Sequence, residues 1–103
     1  MGATINEDRF GTVSLTLSPA QVAQATTAEQ TFTCKGLKVT DAVIVNKAGH
    51  DAGVMPIHAR CSAADTLAIT FANTTAGALT PTAAQTYYVH WFRAEKITSA
   101  VNV

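Results

Sequence analysis

Apolar residues recur along this chain with a period of two, in short runs separated by Gly, Pro, Asp and Asn. The clearest run is Val13, Leu15 and Leu17, which alternate with Ser14 and Thr16. Such alternation is typical of a β-strand with one face in a core and one in water. The pattern predicts six strands, at about residues 13–17, 31–35, 41–46, 57–62, 67–71 and 86–93, and no amphipathic helix of useful length.

Two segments depart from simple alternation. Val43, Ile44 and Val45 form an unbroken apolar centre, which predicts that the strand at 41–46 is covered on both faces. Residues 20–30 follow a Ser-Pro pair that resembles a helix start, but their apolar side chains are too small to anchor a helix. We expect a loop there, with at most one turn, and further long loops at 47–56 and 73–84.

Strands at this spacing without helices predict an all-β fold, a single-domain antiparallel β-sandwich of jelly-roll-like form with extended terminal arms. The predicted boundaries are an N-terminal arm at 1–12, the sandwich at 13–96 and a C-terminal tail at 97–103. The residues expected to contribute to the core are Val13, Leu15, Leu17, Phe32, Val43, Val45, Ile57, Leu67, Ile69, Phe71, Val89 and Trp91.

The last strand has large side chains on both of its faces. One face holds Tyr87, Val89 and Trp91, and the other holds Tyr88, His90 and Phe92. A two-layer sandwich buries one side of each sheet, so the second face requires a cover. From the residues alone, that cover is a loop or arm of the same chain, a sugar ring stacked on the aromatics, or a neighbouring subunit.

Composition narrows the class of partner. The 103 residues carry a formal net charge of zero, with no run of Lys or Arg, so nucleic acid is not expected as a partner. No apolar stretch approaches the roughly 20 residues of a membrane span, and the first ten residues lack the pattern of an export signal, so no membrane association is expected. Only 14% of the residues are charged, which indicates either a surface partly covered by other subunits or a small protein kept soluble by hydroxyls and amides.

No residue pattern indicates catalysis, a metal or a cofactor. Cys34 and Cys61 both fall on the apolar phase of their strands, as small buried thiols do. His58 and Cys61 are three apart on one strand and point to opposite faces, so they cannot converge on one zinc ion without a bulge. His58 and Ser62 share a face but stand about 13 Å apart at 3.3 Å per residue, too far for a catalytic hydrogen bond. We therefore expect a protein that is not an enzyme.

Four segments together resemble a known group of sequences. They are Gly36–Asn46, Ala59–Asn73, Thr80-Pro81 and Thr86-Tyr87. In this combination they resemble short structural proteins of tailed bacteriophages and prophages, with the match running from about Thr31 to Arg93. The chain departs from the group's pattern at Thr40, where Gly is frequent, and at His90-Trp91, where smaller aliphatics are usual.

The resemblance implies a capsid decoration, or cement, protein that binds the assembled head and stabilises it by bridging capsid subunits. Its partners would be the major capsid protein and further copies of itself, a homotrimer more than a dimer, and its location would be the outer surface of the virion after synthesis in the host cytoplasm. The alternative is a tail- or fibre-associated virion module that binds host carbohydrate; a small hydrolase comes third.

The resemblance also implies that Tyr87, Val89 and Trp91 point into the core, because the group has its large apolar residues at these alternate positions of the last strand. Apolar anchors and polar residues in the predicted arm complete the expected contact surface. The residues expected to contact a subunit or the capsid are Ile5, Arg9, Phe10, Tyr88, His90 and Phe92.

Overall fold

The computed structural model describes residues 10–93. They contain six β-strands and no helix, which confirms the all-β prediction for this part of the chain. Residues 1–9 and 94–103, which include most of the predicted arm and the whole predicted tail, lie outside the described residues. The strands are β1 (Phe10–Leu17), β2 (Thr26–Thr33), β3 (Ala42–Lys47), β4 (Val54–Ala63), β5 (Thr66–Asn73) and β6 (Gln85–Phe92).

The six strands form two three-stranded antiparallel sheets. Sheet I has the order β1-β6-β3, and sheet II has the order β2-β5-β4. The central strand of sheet I is β6, the last strand in the described chain. The central strand of sheet II is β5, which forms a hairpin with β4. The six strands fall short of the eight that a jelly roll has, and the jelly-roll form is not confirmed.

Both sheets contribute to one core because the apolar phase of each strand points to the same side. Leu67, Ile69 and Phe71 of β5 and Tyr87 and Val89 of β6 are all fully buried. The rings of Phe71 and Tyr87 meet edge to face, with centroids 6.3 Å apart and planes at 79°. This is the geometry that aromatic quadrupoles favour. Burial raises the pKa of the Tyr87 hydroxyl to about 12, since desolvation opposes its ionisation.

The strand phases agree with the sequence pattern at most of the expected core positions. Leu17, Leu67, Ile69, Phe71 and Val89 are buried, and the remaining expected residues apart from one are partly buried. Those partly buried residues are Val13, Leu15, Phe32, Val43, Val45 and Trp91. The inward assignment of Tyr87, Val89 and Trp91 therefore agrees with the structure.

Ile57 is the exception, and its prediction as a core residue is wrong. A β-bulge lies between Pro56 and His58, where the register of β4 against β5 shifts. Because a one-residue shift turns a side chain to the opposite face, Ile57 is exposed while Ala59 and Cys61 keep the inward phase. The alternation in the sequence continues through the bulge and gives no sign of it.

Four further expectations about element limits or burial are corrected. β3 is an edge strand whose outer side chain Ile44 is exposed, so β3 is not covered on both faces within the described residues. Residues 26–30, expected in a loop, belong to β2, whose sequence is only weakly apolar. The structure starts β1 at Phe10, three residues before the first strand position that the pattern indicates, and starts β4 at Val54, inside the expected loop.

A carboxylate holds the loop after β3 against the segment that leads into β6. Asp51 accepts hydrogen bonds from the Lys47 ammonium, from the Thr82 amide at 2.9 Å and from the Thr82 hydroxyl at 2.5 Å. The Lys47 hydrogen bond, followed by the two from Thr82, lowers the pKa of Asp51 to about 2. The loop is thus fixed by a group that must remain ionised.

We therefore expect acid to destabilise the fold through Asp51. Its folded pKa lies below the unfolded value, so its stabilisation, about 2 kcal/mol at most, is present above pH 4 and disappears as the pH falls toward 2. Urea unfolding of Asp51→Asn at a series of pH values should show a smaller loss of stability over this range than the unsubstituted chain. Asp65→Asn serves as the control, and a pH dependence in Asp51→Asn as steep as that of the control would contradict the assignment.

Candidate interaction surface

The outer side of sheet I carries the exposed aromatic side chains of the molecule. In the antiparallel ladders Phe10 lies opposite Phe92, and Thr12 lies opposite His90, which lies opposite Ile44. Tyr88 occupies the next row along β6. The sheet register therefore brings together all four of the expected contact residues that the structure describes; Ile5 and Arg9 lie outside the described residues.

This outer side is uncharged at every position. We call it the uncharged face and define it by the outward-pointing residues of β1, β6 and β3. None of its members is Asp, Glu, Lys or Arg, and its exposed apolar area is on the order of 400 Å², within the range of patches on monomers that are often functional. The members are Phe10, Thr12, Ser14, Thr16, Thr86, Tyr88, His90, Phe92, Ala42, Ile44 and Asn46.

Exposure along the uncharged face is high for side chains of this type. Phe10 is 64% exposed, Ile44 58% and Phe92 50%. At its centre the Thr12 hydroxyl and Nδ1 of His90 share a hydrogen bond of 2.9 Å, which fixes the imidazole between the two strands. The face is therefore a flat set of apolar groups with its central polar ring already hydrogen-bonded within the sheet.

The outer side of sheet II has a different character. There Arg60 donates from Nε and Nη2 to the Glu29 carboxylate, at 2.8 and 2.9 Å. The pair spans β5, where Ala68 is fully buried although it points outward. Around the ion pair the side chains are small, mostly Thr and Ala, as on an ordinary solvated sheet surface. The two outer sides of the protein are thus chemically unlike.

The apolar surface continues from the uncharged face around the edge of sheet I. β3 lies alongside β4 of sheet II, and their edges enclose an open groove of about 270 Å³. Ile44 and the bulged Ile57 are exposed at this groove. Ile44 was not among the expected contact residues; the only sequence signal for it is an apolar residue at the outward phase of its strand.

The end of the uncharged face is fixed by an ion pair beneath it. Asp41, just before β3, accepts two hydrogen bonds from Arg93, from Nε at 2.7 Å and from Nη2 at 2.8 Å, and one from the Lys38 amide at 2.9 Å. The Arg93 guanidinium also lies 4.7 Å from the centre of the Trp91 ring. The Arg93 hydrogen bonds lower the pKa of the Asp41 carboxyl. Together these contacts hold the ends of β3 and β6 in register.

Trp91 has a close neighbour on β1. Gly11 is its partner in the ladder, and a Cβ added at Gly11 would lie 2.9 Å from Cζ2 of the Trp91 ring. Only glycine leaves room for the indole to lie against the backbone of β1. The ring forms one wall of a pocket of about 310 Å³, together with Val13, Cys34 and Leu37.

The side chains that commonly bind metal ions do not cluster in the part of the chain that the structure describes. In residues 10–93 no group of three or more His, Cys, Asp or Glu side chains is close enough to hold a metal ion. Cys34 and Cys61 are buried free thiols, and burial raises the pKa of the Cys34 thiol. Between residues 10 and 93 there is no helix that could cross a membrane.

Comparisons of the chain with protein-family models, with curated proteins and with solved structures find no match. The interpretation of the uncharged face therefore depends on its own geometry and chemistry.

Proposed function

We propose that this chain is a decoration protein of a bacteriophage head, which binds the outer surface of the assembled shell and bridges capsid subunits. In this proposal its two sheets form a β-sandwich, and it acts on the virion as a homo-oligomer without catalysing a reaction. The single observation that carries the proposal is the difference between the outer sides of the two sheets. The outer side of sheet II has an ion pair among small side chains, whereas the uncharged face of sheet I has exposed aromatic side chains and no Asp, Glu, Lys or Arg. The sequence resemblance supplies the class of partner.

The chemistry of the uncharged face favours a protein surface as its partner. Burying exposed Phe and Ile side chains against a partner lowers the free energy by roughly 25 cal/mol per Å² of apolar surface removed from water. A sugar-binding platform combines aromatic rings with charged or amide groups that bind hydroxyls. On this face Asn46 is the only amide and there is no charged side chain. The carbohydrate-binding alternative therefore has less support than shell binding.

The proposed mechanism is thermodynamic. A protein that binds the expanded shell and not its precursor or its dissociated subunits stabilises the expanded shell by mass action. A rigid sheet is suited to this task because its side chains keep their relative positions when bound, which limits the entropy lost on binding. Bridging two capsid subunits requires only that the face, or an assembly of several copies, spans their boundary.

The experiment is add-back of purified protein to heads from particles that lack it, followed by co-sedimentation. We expect saturable, stoichiometric binding by the unsubstituted chain and at least tenfold weaker binding by Phe92→Asp, because the new charge is placed within an apolar contact. Thr31→Asp is the matched control: it adds the same charge to the exposed outer side of sheet II. It should bind as the unsubstituted chain does.

Two results would contradict the proposal. One is recovery of the protein with tails rather than heads when particles are fractionated. The other is equal loss of binding in Phe92→Asp and Thr31→Asp while both remain folded by circular dichroism. Binding of the isolated protein to a glycan array would favour the carbohydrate-binding module instead.

A further inference from the structure

The two sheets present four edge strands, and these differ in how they are protected. An edge strand exposes unpaired N–H and C=O groups that can pair with another chain. Proteins prevent such pairing with charged residues, proline, bulges, short strands or a covering element. The edges are β1 and β3 in sheet I and β2 and β4 in sheet II.

Three of the four edges carry such protection. β3 is six residues long and lies alongside β4, so these two edges face each other. β4 also contains Pro56 and two bulges. β2 carries the ion-paired Glu29, and the carboxamide of Gln30 bonds to the backbone of Ala20, accepting from its N–H at 2.7 Å and donating to its C=O at 3.0 Å.

β1 has none of these features. Its eight residues, FGTVSLTL, include no charged side chain and no proline. Its pairing with β6 runs without a shift from Phe10 to Leu17, so the strand is regular over its whole length. No strand within residues 10–93 pairs with its other side. Every second residue of β1 therefore directs its N–H and C=O away from β6, to a side where no strand of residues 10–93 pairs with them.

We propose that β1 pairs with β1 of a second copy, antiparallel and about a twofold axis. The two sheets I would join into one six-stranded sheet of order β3-β6-β1-β1-β6-β3. Pairing of a strand with its own copy is isologous and closes at two subunits. The unit it forms is a dimer, whereas the sequence favoured a trimer.

The pairing has a direct consequence for the uncharged face. Phe10, Thr12 and Ser14 lie on β1, so the two faces would meet at the axis and form one continuous surface of twice the area. This area of about 800 Å² is what one partner contributes to a standard protein interface. The dimer itself does not depend on shell binding, and each can be tested without the other.

Light scattering at micromolar to tens of micromolar protein tests the edge pairing with two lysine substitutions. Ser14→Lys places a charge at the middle of β1, where the two copies would bring like charges opposite each other. Asn46→Lys is the matched control: it lies in the same row of the same exposed face, on the other edge of sheet I. We expect a dimer mass for the unsubstituted chain and Asn46→Lys, and a monomer mass for a folded Ser14→Lys.

Amide hydrogen exchange gives a second readout on the unsubstituted chain. Alternate amides of β1 should exchange at least tenfold more slowly at high than at low protein concentration, and those of β2 should not change. A monomer at tens of micromolar, a trimer, or equal dissociation by both lysine substitutions would overturn the proposal. Monomeric protein that still binds heads would overturn the pairing and leave the shell binding of the proposed function intact.

Discussion

Replacing Phe71 by Ala is expected to lower the free energy of unfolding by about 3–5 kcal/mol. Phe71 is fully buried at the centre of sheet II and contacts the Tyr87 ring of sheet I, so truncation opens a cavity between the two sheets. Domains of this size are stable by only about 5–15 kcal/mol, so the variant would lose a large part of its stability. Urea unfolding followed by tryptophan fluorescence measures the change, since Trp91 packs against the same core.

Phe92→Ala is the matched control for this prediction. It removes the same atoms from a side chain that is half exposed on the uncharged face, and we expect a loss below about 1 kcal/mol. Similar losses in the two variants would show that the core does not lie where the burial pattern puts it.

Arg93→Met is expected to destabilise the fold by about 2–3 kcal/mol, because it leaves the Asp41 carboxylate without its cation. That carboxylate is inaccessible to solvent, while the Arg93 side chain is mostly buried. Arg93 also donates to the Gly36 carbonyl at 3.0 Å, so the loop before β3 loses a second contact. Thermal unfolding should show a melting temperature lower by roughly 10 °C or more.

Arg60→Met is the control for Arg93→Met, since it breaks a similar bidentate pair on the solvated side of sheet II. Exposed pairs contribute little to stability, so its melting temperature should change little. The difference between the two variants should shrink in acid. The pKa of Asp41 is lowered in the folded protein, so its stabilisation is lost as the pH falls below the normal range of an Asp carboxyl. A difference that persists unchanged at pH 2 would point to lost packing on Trp91 instead.

The strands of this protein could be predicted wherever large apolar residues alternate with polar ones. β1, β5 and β6 meet that condition, and the inward phase of Tyr87 and Val89 followed from it together with the resemblance. Residues 26–30 of β2 were not predicted as a strand because they consist of Thr, Ala, Glu and Gln. Pairing with β5, rather than an apolar pattern of its own, makes this segment a strand.

The position of a strand within its sheet could not be predicted in the same way. The run Val43-Ile44-Val45 is what a central strand would have, yet β3 lies at an edge and exposes Ile44. The bulge before His58 likewise depends on how β4 meets β5, which no local pattern records. Edge position and bulges are properties of pairing, and pairing joins residues far apart in sequence.

The candidate surface was likewise predictable where it depends on alternation within one strand and not where it depends on pairing between strands. Tyr88, His90 and Phe92 share a face by simple alternation and were predicted as a set. Their neighbours across the strands, Phe10 and Ile44, join them only through the register of β1 and β3. The ion pair of Asp41 with Arg93 spans 52 positions and has no sequence signature.

The ladder between β1 and β6 closes the longest loop of the described fold. It pairs Phe10 with Phe92, near opposite ends of the chain, whereas β4 and β5 are joined by a two-residue turn. Closing a loop costs more conformational entropy as it lengthens, so the short hairpin has the lower entropic barrier and the β1–β6 ladder the higher one. The uncharged face consists of side chains from the two ends and the middle of the chain. It therefore does not exist as a surface until the longest-range pairing in the described fold, the ladder of β1 with β6, has closed.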